Sequence, residues 1–310
     1  MKIIGTFLML LCVVACSEDE ILPTDITLST QEQVDQFTAS TVDGDLTITG
    51  PEITNLDALK SLKHIKGHFY IRNTYQLTKL EGLKNLGKID SSLLIYENYA
   101  LQSVDDLDAL CFIDKSIHIS HNDNLVEINF SSTNFTYEGD IIIFLNPELE
   151  SISFNGILDR SSISLSHNDK QTDLPDLGKT SHLNYLSLTS LKSFKTLSVP
   201  SSINRIQHLA IADLNHLEEI IINAALKNME GLSINNNPLL TSLDGLASII
   251  EIKNRLMVVN NVTLSDLCGL YQAISTIDYD KVIIYNNQHN PTKKDFELNN
   301  CKLIVESANR

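Results

Sequence analysis

The chain has 310 residues and no Trp, and its 39 Asp and Glu outweigh 23 Lys and Arg, for a formal net charge of −16. An acidic excess of that size keeps a chain soluble and repels phosphate backbones, which argues against nucleic acid as a partner. The length suffices for one elongated domain or two compact ones, and internal repeats, not composition, decide between them.

The first stretch, MKIIGTFLMLLCVVAC, sets Lys2 before an apolar run from Ile3 to Val14 and the small Ala15 before Cys16. It has the pattern of a secretion signal over residues 1–15, too short to span a bilayer and without a following stop-transfer pattern. Val13-Val14-Ala15-Cys16 resembles the lipobox of bacterial lipoproteins, which implies acylation at Cys16 and anchorage by several acyl chains together. An ordinary signal peptide that ends near a cysteine is the alternative. Ser17-Glu18-Asp19-Glu20 resembles the acidic export signal of Bacteroidetes lipoproteins carried to the outer face of the outer membrane. A solvated linker on a periplasmic lipoprotein would also explain it. Residues 16–40 are then expected to form an acidic tether, lipidated at Cys16, followed by an N-terminal cap.

From residue 41 the chain is a repeat. Short alternating stretches begin at Leu46, Phe69, Leu93, Ile117, Ile141, Ile163, Leu186, Leu209, Leu232, Leu256 and Val282, in steps of 22 to 26 residues. Positions one and three of all eleven are apolar, the two-residue period of a strand with one face buried. Between strands runs a second rhythm, as in Leu77, Leu80, Leu83, Leu86, Ile89 and again in Leu101, Val104, Leu107, Leu110, Ile113. A step of three drifts around an α-helix and cannot keep one face buried, so short extended or single-turn segments bending around a narrow core are expected. Position six is Asn in Asn98, Asn122, Asn146, Asn168, Asn237, Asn261 and Asn287. Asn tolerates left-handed backbone and bonds its neighbours at turns, so a stacked Asn ladder should satisfy the bend's backbone groups.

These features predict a β-solenoid of about 11 coils of about 24 residues, each giving one strand to a long parallel sheet and none stable alone. The composite L-x-I-x-x-N-x-x-L-x-x-L-x-x-L-x-x-L-x-x-I of Leu93 to Ile113 resembles the receptor L domain, a leucine-rich-repeat-like right-handed parallel β-helix. It is closer still to Bacteroidetes repeat lipoproteins carrying such domains. The resemblance covers residues 41–305, with a ragged three-residue rhythm between about 129 and 225. The ending from LSDLCGL to ELNNC resembles the terminal cap of that group over 263–305, which implies a Cys268–Cys301 disulfide in an oxidising compartment. Cys111, beside Leu110, is expected as a buried free thiol.

No sequence motif of a zinc protease, serine hydrolase, P-loop or dinucleotide site occurs, and neither metal nor cofactor is expected. His121 and His167 share an SHND context, but two rungs separate them and the rung between has Leu145, so solvent-exposed turn histidines are expected. The outward positions, two and four, are small and polar in rungs six to nine. In rungs two to five they include Tyr70, Arg72, Leu94, Tyr96, His118, Ile142 and Phe144, a contiguous set of large side chains. Such a patch marks an interaction surface, unless the 129–140 stretch covers it or cross-strand packing alone favours large residues there. The expected function is non-catalytic: a lipid-anchored cell-surface protein of the outer membrane, binding a host protein or glycan by its sheet face. A structural spacer lipoprotein of an outer-membrane assembly, or a β-helix carbohydrate-active enzyme, is the alternative.

Overall fold

The structure, a computed structural model, describes residues 21, 22 and 24–303. The signal segment, Cys16 and the acidic stretch after it lie outside the described residues. Strands stack in chain order into one twelve-stranded sheet, and all its neighbouring strands run parallel. The register joins equivalent positions: Leu46 meets Phe69, Phe69 meets Leu93 and Leu93 meets Ile117. This is a β-solenoid-like fold.

The sheet holds one strand more than the alternation predicted. Ile26–Leu28 pairs with Leu46–Ile48, so the stack begins inside the segment read as tether and cap. Three residues carry only two apolar positions, too few to register as a period. The helix Gln31–Asp35 follows, with a capping box between Thr30 and Gln33, and buries Val34 at this end of the core.

Positions one and three are buried in the first ten predicted strands, while Val282 and Ile284 in the last are only half-buried because no further strand stacks on them. Across from this sheet lie shorter parallel ladders, among them a five-stranded one of two-residue strands running from Ile21–Leu22 to Phe112–Ile113. One apolar core runs between them.

The three-residue rhythm has a specific cause. Asp57–Ser61, Glu81–Leu83, Asp244–Leu246 and Cys268–Leu270 are 3-10 turns. With three residues per turn, every third side chain falls on the same side. Leu83 N donates to Leu80 O at 2.8 Å and Leu86 N to Leu83 O at 3.0 Å, and all three side chains are buried. Stacking these turns leaves little room: a Cβ on Gly82 would sit 1.6 Å from Leu56 O, and one on Gly245 1.8 Å from Ile220 O.

In the ragged middle a two-residue period replaces this turn. Glu127–Phe130 pairs with Ser151–Phe154, burying Ile128, Phe130, Ile152 and Phe154, and Thr196–Ser198 pairs with Glu219–Ile221. Phe130 stacks on Phe154 at 5.1 Å between ring centres and on Phe135 at 5.5 Å, all fully buried. The 129–140 stretch therefore packs its aromatic side chains into the core. The buried Tyr137 hydroxyl donates to Lys115 O at 2.7 Å, and burial raises its pKa.

The Asn ladder forms, with a refinement of its geometry. The left-handed residue is not the Asn but the one before it: Asn73, Glu97, His121, Leu145, His167, Ser190, Asp213, Asn236, Asn260 and Asn286 all have φ between 53° and 61°. This places the following side chain inside the bend. Asn122 Nδ2 donates to Ile95 O at 3.1 Å, and Asn122 Oδ1 accepts from Asn98 N and from Asn98 Nδ2, each at 3.1 Å. Asn146 and Asn168 repeat the pattern. Leu191 and Leu214 take the position in the next two rungs, fully buried, and the ladder resumes with Asn237, Asn261 and Asn287. It closes on Asn290, whose Oδ1 accepts from Asn287 N at 3.0 Å. At the other end Thr74 donates through N and Oγ1 to Asn98 Oδ1, and Pro51 of the preceding rung has no N–H to satisfy.

At the C-terminal end Cys268 and Cys301, 33 positions apart in sequence, are joined, with their Cα atoms 5.0 Å apart. Cys111 is exposed, contrary to the buried thiol expected, and its Sγ donates to Gly87 O at 3.3 Å. Leu107, Leu110 and Ile113 fill the inward positions of that turn, so the residue directly after Leu110 points away from the core.

Candidate interaction surface

The strands Phe69–Arg72, Leu93–Tyr96, Ser116–Ser120 and Asp140–Phe144 bring all seven predicted patch residues together. Tyr70, Leu94, His118 and Ile142 pair in one row across the four strands. Arg72, Tyr96, Ser120 and Phe144 form the parallel row two residues on. Alternation turns both rows away from the core, because the residues between them, such as Ile71, Ile95, Ile119 and Ile143, are fully buried.

Ile142 is 37% exposed and the other six are half-buried, each by its neighbours on adjacent strands. All seven therefore reach the surface, six of them only in part. Ser120, small and flanked by Tyr96 and Phe144, is only 2% exposed. Phe144 lies 5.2 Å, centre to centre, from the His118 ring and 5.2 Å edge-on from His121. Arg72 makes no ion pair among the described residues, leaving its guanidinium available. Partial burial, then Asp45 and Tyr96, push the Tyr70 hydroxyl pKa upward, so it stays a donor at neutral pH. Burial, then His121, push the His118 imidazole pKa below its ordinary value. The His118 Nε2 atom is buried without a hydrogen-bond partner among the described residues.

Two flanking features escaped the sequence reading. His121 adjoins the patch because its left-handed backbone brings its ring against Phe144. Tyr75 and Tyr99, 51% and 40% exposed, meet edge to face at 5.2 Å on consecutive bends. Both stand one residue after the ladder position, a spacing the sequence repeats. His121 and His167 are exposed, and no group of three or more His, Cys, Asp or Glu among the described residues could hold a metal ion. None of the described helices is long and apolar enough to cross a membrane.

A stacked parallel sheet, a buried side-chain ladder and an outward face of large side chains define a repeat protein. Residues 40–155 match the family model of the Receptor L domain. That span holds the whole patch, and the same ladder geometry continues beyond it at Asn237, Asn261 and Asn287. No curated protein and no solved structure matches the chain.

Proposed function

We propose that this chain is a non-catalytic, lipid-anchored protein of the bacterial cell surface that captures a protein or glycan partner with the outward sheet face of its N-terminal half. In this reading the solenoid is right-handed with about one coil per strand, and Cys16 carries the acyl chains on the outer face of the outer membrane, as in the Bacteroidetes lipoproteins it resembles. The observation that carries the reading is the two-row patch: aromatic rings, aliphatic side chains and an Arg without an ion pair among the described residues, partly exposed on the outward face of the sheet. Such side chains dominate binding energetics where they cluster. The net negative charge favours neutral or basic partners over nucleic acid.

Binding of the soluble chain from Ser17 to an array of host matrix proteins and glycans tests it, beside a Tyr96→Ala/Phe144→Ala variant. A specific hit that weakens about a hundredfold in the folded variant is expected, since two central anchors typically contribute about 1 to 2 kcal/mol each. Absence of any hit, or one the variant leaves unchanged, speaks for the spacer role instead. Anchorage has a separate test: Cys16→Ser should move the protein from the membrane fraction to the soluble one, and retention in membranes would contradict acylation.

A further inference from the structure

A second site lies away from the patch, where the strands His182–Thr189, Arg205–Ala212, Asn228–Asn235 and Glu251–Val259 are eight or nine residues long. Their extra length turns a corner: Leu183, Ile206, Met229 and Ile252 point inward, the next residues face out, and Leu186, Leu209, Leu232 and Leu256 point inward again. Before the corner is a notch of about 370 Å³, whose lining includes Arg205, Lys227 and Lys253 and the amide-bearing residues Asn204, Gln207 and Asn228. Glu230 also lines it, but Lys253 lies 3.4 Å from one of its oxygens and Asn254 Nδ2 donates to the other at 2.9 Å. Arg205 and Lys227 make no ion pair among the described residues. In the neighbouring rungs Glu251 stands in register with Asn228, and Asp159 already accepts from Ser181 N and His182 N.

Beyond the corner a second notch, of about 280 Å³, is bordered by Tyr185, His208 and Arg255. Gly231 stands between His208 and Arg255 in the row and opens it, for a Cβ there would lie 2.9 Å from His208 Nδ1. Tyr185 is 37% exposed and flanks His208, with ring centres 6.3 Å apart. The two notches thus combine uncompensated cations, neutral amides and an open aromatic ring, in a chain whose overall charge is −16. Retained cations in so acidic a chain select an anion, the amides match sugar hydroxyls, and the ring offers a face for a pyranose.

We infer that this corner binds an acidic oligosaccharide, its carboxylate or sulfate held by Arg205 and Lys227 and an adjoining sugar ring against Tyr185. The site is independent of the aromatic patch and stands if that patch proves inert. Calorimetric titration of the soluble chain from Ser17 with trigalacturonate and with a chondroitin sulfate tetrasaccharide tests it, with cellotriose and hexaglutamate as comparisons. At least one acidic saccharide should bind, about tenfold or more weaker in Arg205→Ala/Lys227→Ala, and cellotriose should not. Trigalacturonate carries carboxylates alone and the chondroitin sulfate both carboxylates and sulfates, so binding of the former shows that a carboxylate suffices. Both substitutions fall on exposed side chains, and circular dichroism checks that the variant is folded. No acidic saccharide bound, unchanged affinity in the folded variant, or hexaglutamate bound as tightly as the saccharide would each overturn the inference.

Discussion

Replacing Asn122 by alanine is expected to cost the folded chain about 3 to 5 kcal/mol, because a buried donor and a buried acceptor lose their partners together. Asn98 N–H gives up the Oδ1 that accepts from it at 3.1 Å, and Ile95 O gives up the amide that donates to it. Asn98 and Asn122 are both fully buried, so water has no ready route to replace the lost bonds. Asn124→Ala is the matched comparison: its Nδ2 donates to Tyr99 O from an exposed position, and its loss should cost less than about 1 kcal/mol. Urea unfolding followed by circular dichroism, with hydrogen exchange to locate the damage, measures both. Equal effects from the two substitutions would show that the ladder contributes no more than a surface hydrogen bond. Leu191 and Leu214 do not contradict the prediction: they replace the whole side chain in two successive rungs by well-packed apolar groups, whereas alanine in one rung strands its neighbours.

Gly82→Ala is expected to be at least as damaging, by more than about 4 kcal/mol, with loss of soluble protein. The added Cβ would lie 1.6 Å from Leu56 O and 2.4 Å from the Leu56 carbonyl carbon, backbone atoms that cannot rotate aside. The stacked 3-10 turns would have to separate. Gly87→Ala, five residues on, has its nearest neighbours at 3.7 and 3.8 Å and should be neutral or stabilise by up to about 1 kcal/mol through the unfolded state. Melting temperatures of the two variants decide the matter; a Gly82 variant as stable as the parent would mean that the coils are not packed as described.

The two regular stretches were legible because each period maps onto one backbone geometry. Alternation at Leu93, Ile95 or Ile117, Ile119 means a strand, and steps of three at Leu80, Leu83, Leu86 mean a 3-10 turn. The middle was illegible for the same reason: Ile128, Phe130 and Ile152, Phe154 switch to a two-residue period, which erases the three-residue one. The left-handed position carries only a partial chemical signature: Asn73, Asp213, Asn236, Asn260 and Asn286 suit it, but Glu97, Leu145 and Ser190 fill it in other rungs. What fixes it is the backbone, since Glu97 N donates to Ser120 O, His121 N to Phe144 O and Leu145 N to Ser166 O. The patch could be read from alternation alone. The corner site could not, because its cations come from separate rungs and meet only where the longer strands bend.

The cross-link at one end has a consequence for wear. A stack that loses coils one at a time sheds them from its least secured end. Cys268–Cys301 staples the C-terminal cap, while the described N-terminal end is closed by a short strand and a five-residue helix. Of the two described ends, fraying is therefore expected at the one nearer the patch. A partner gripping all four of them would act as a clip on the loose end, so that occupied molecules outlast empty ones under proteolysis.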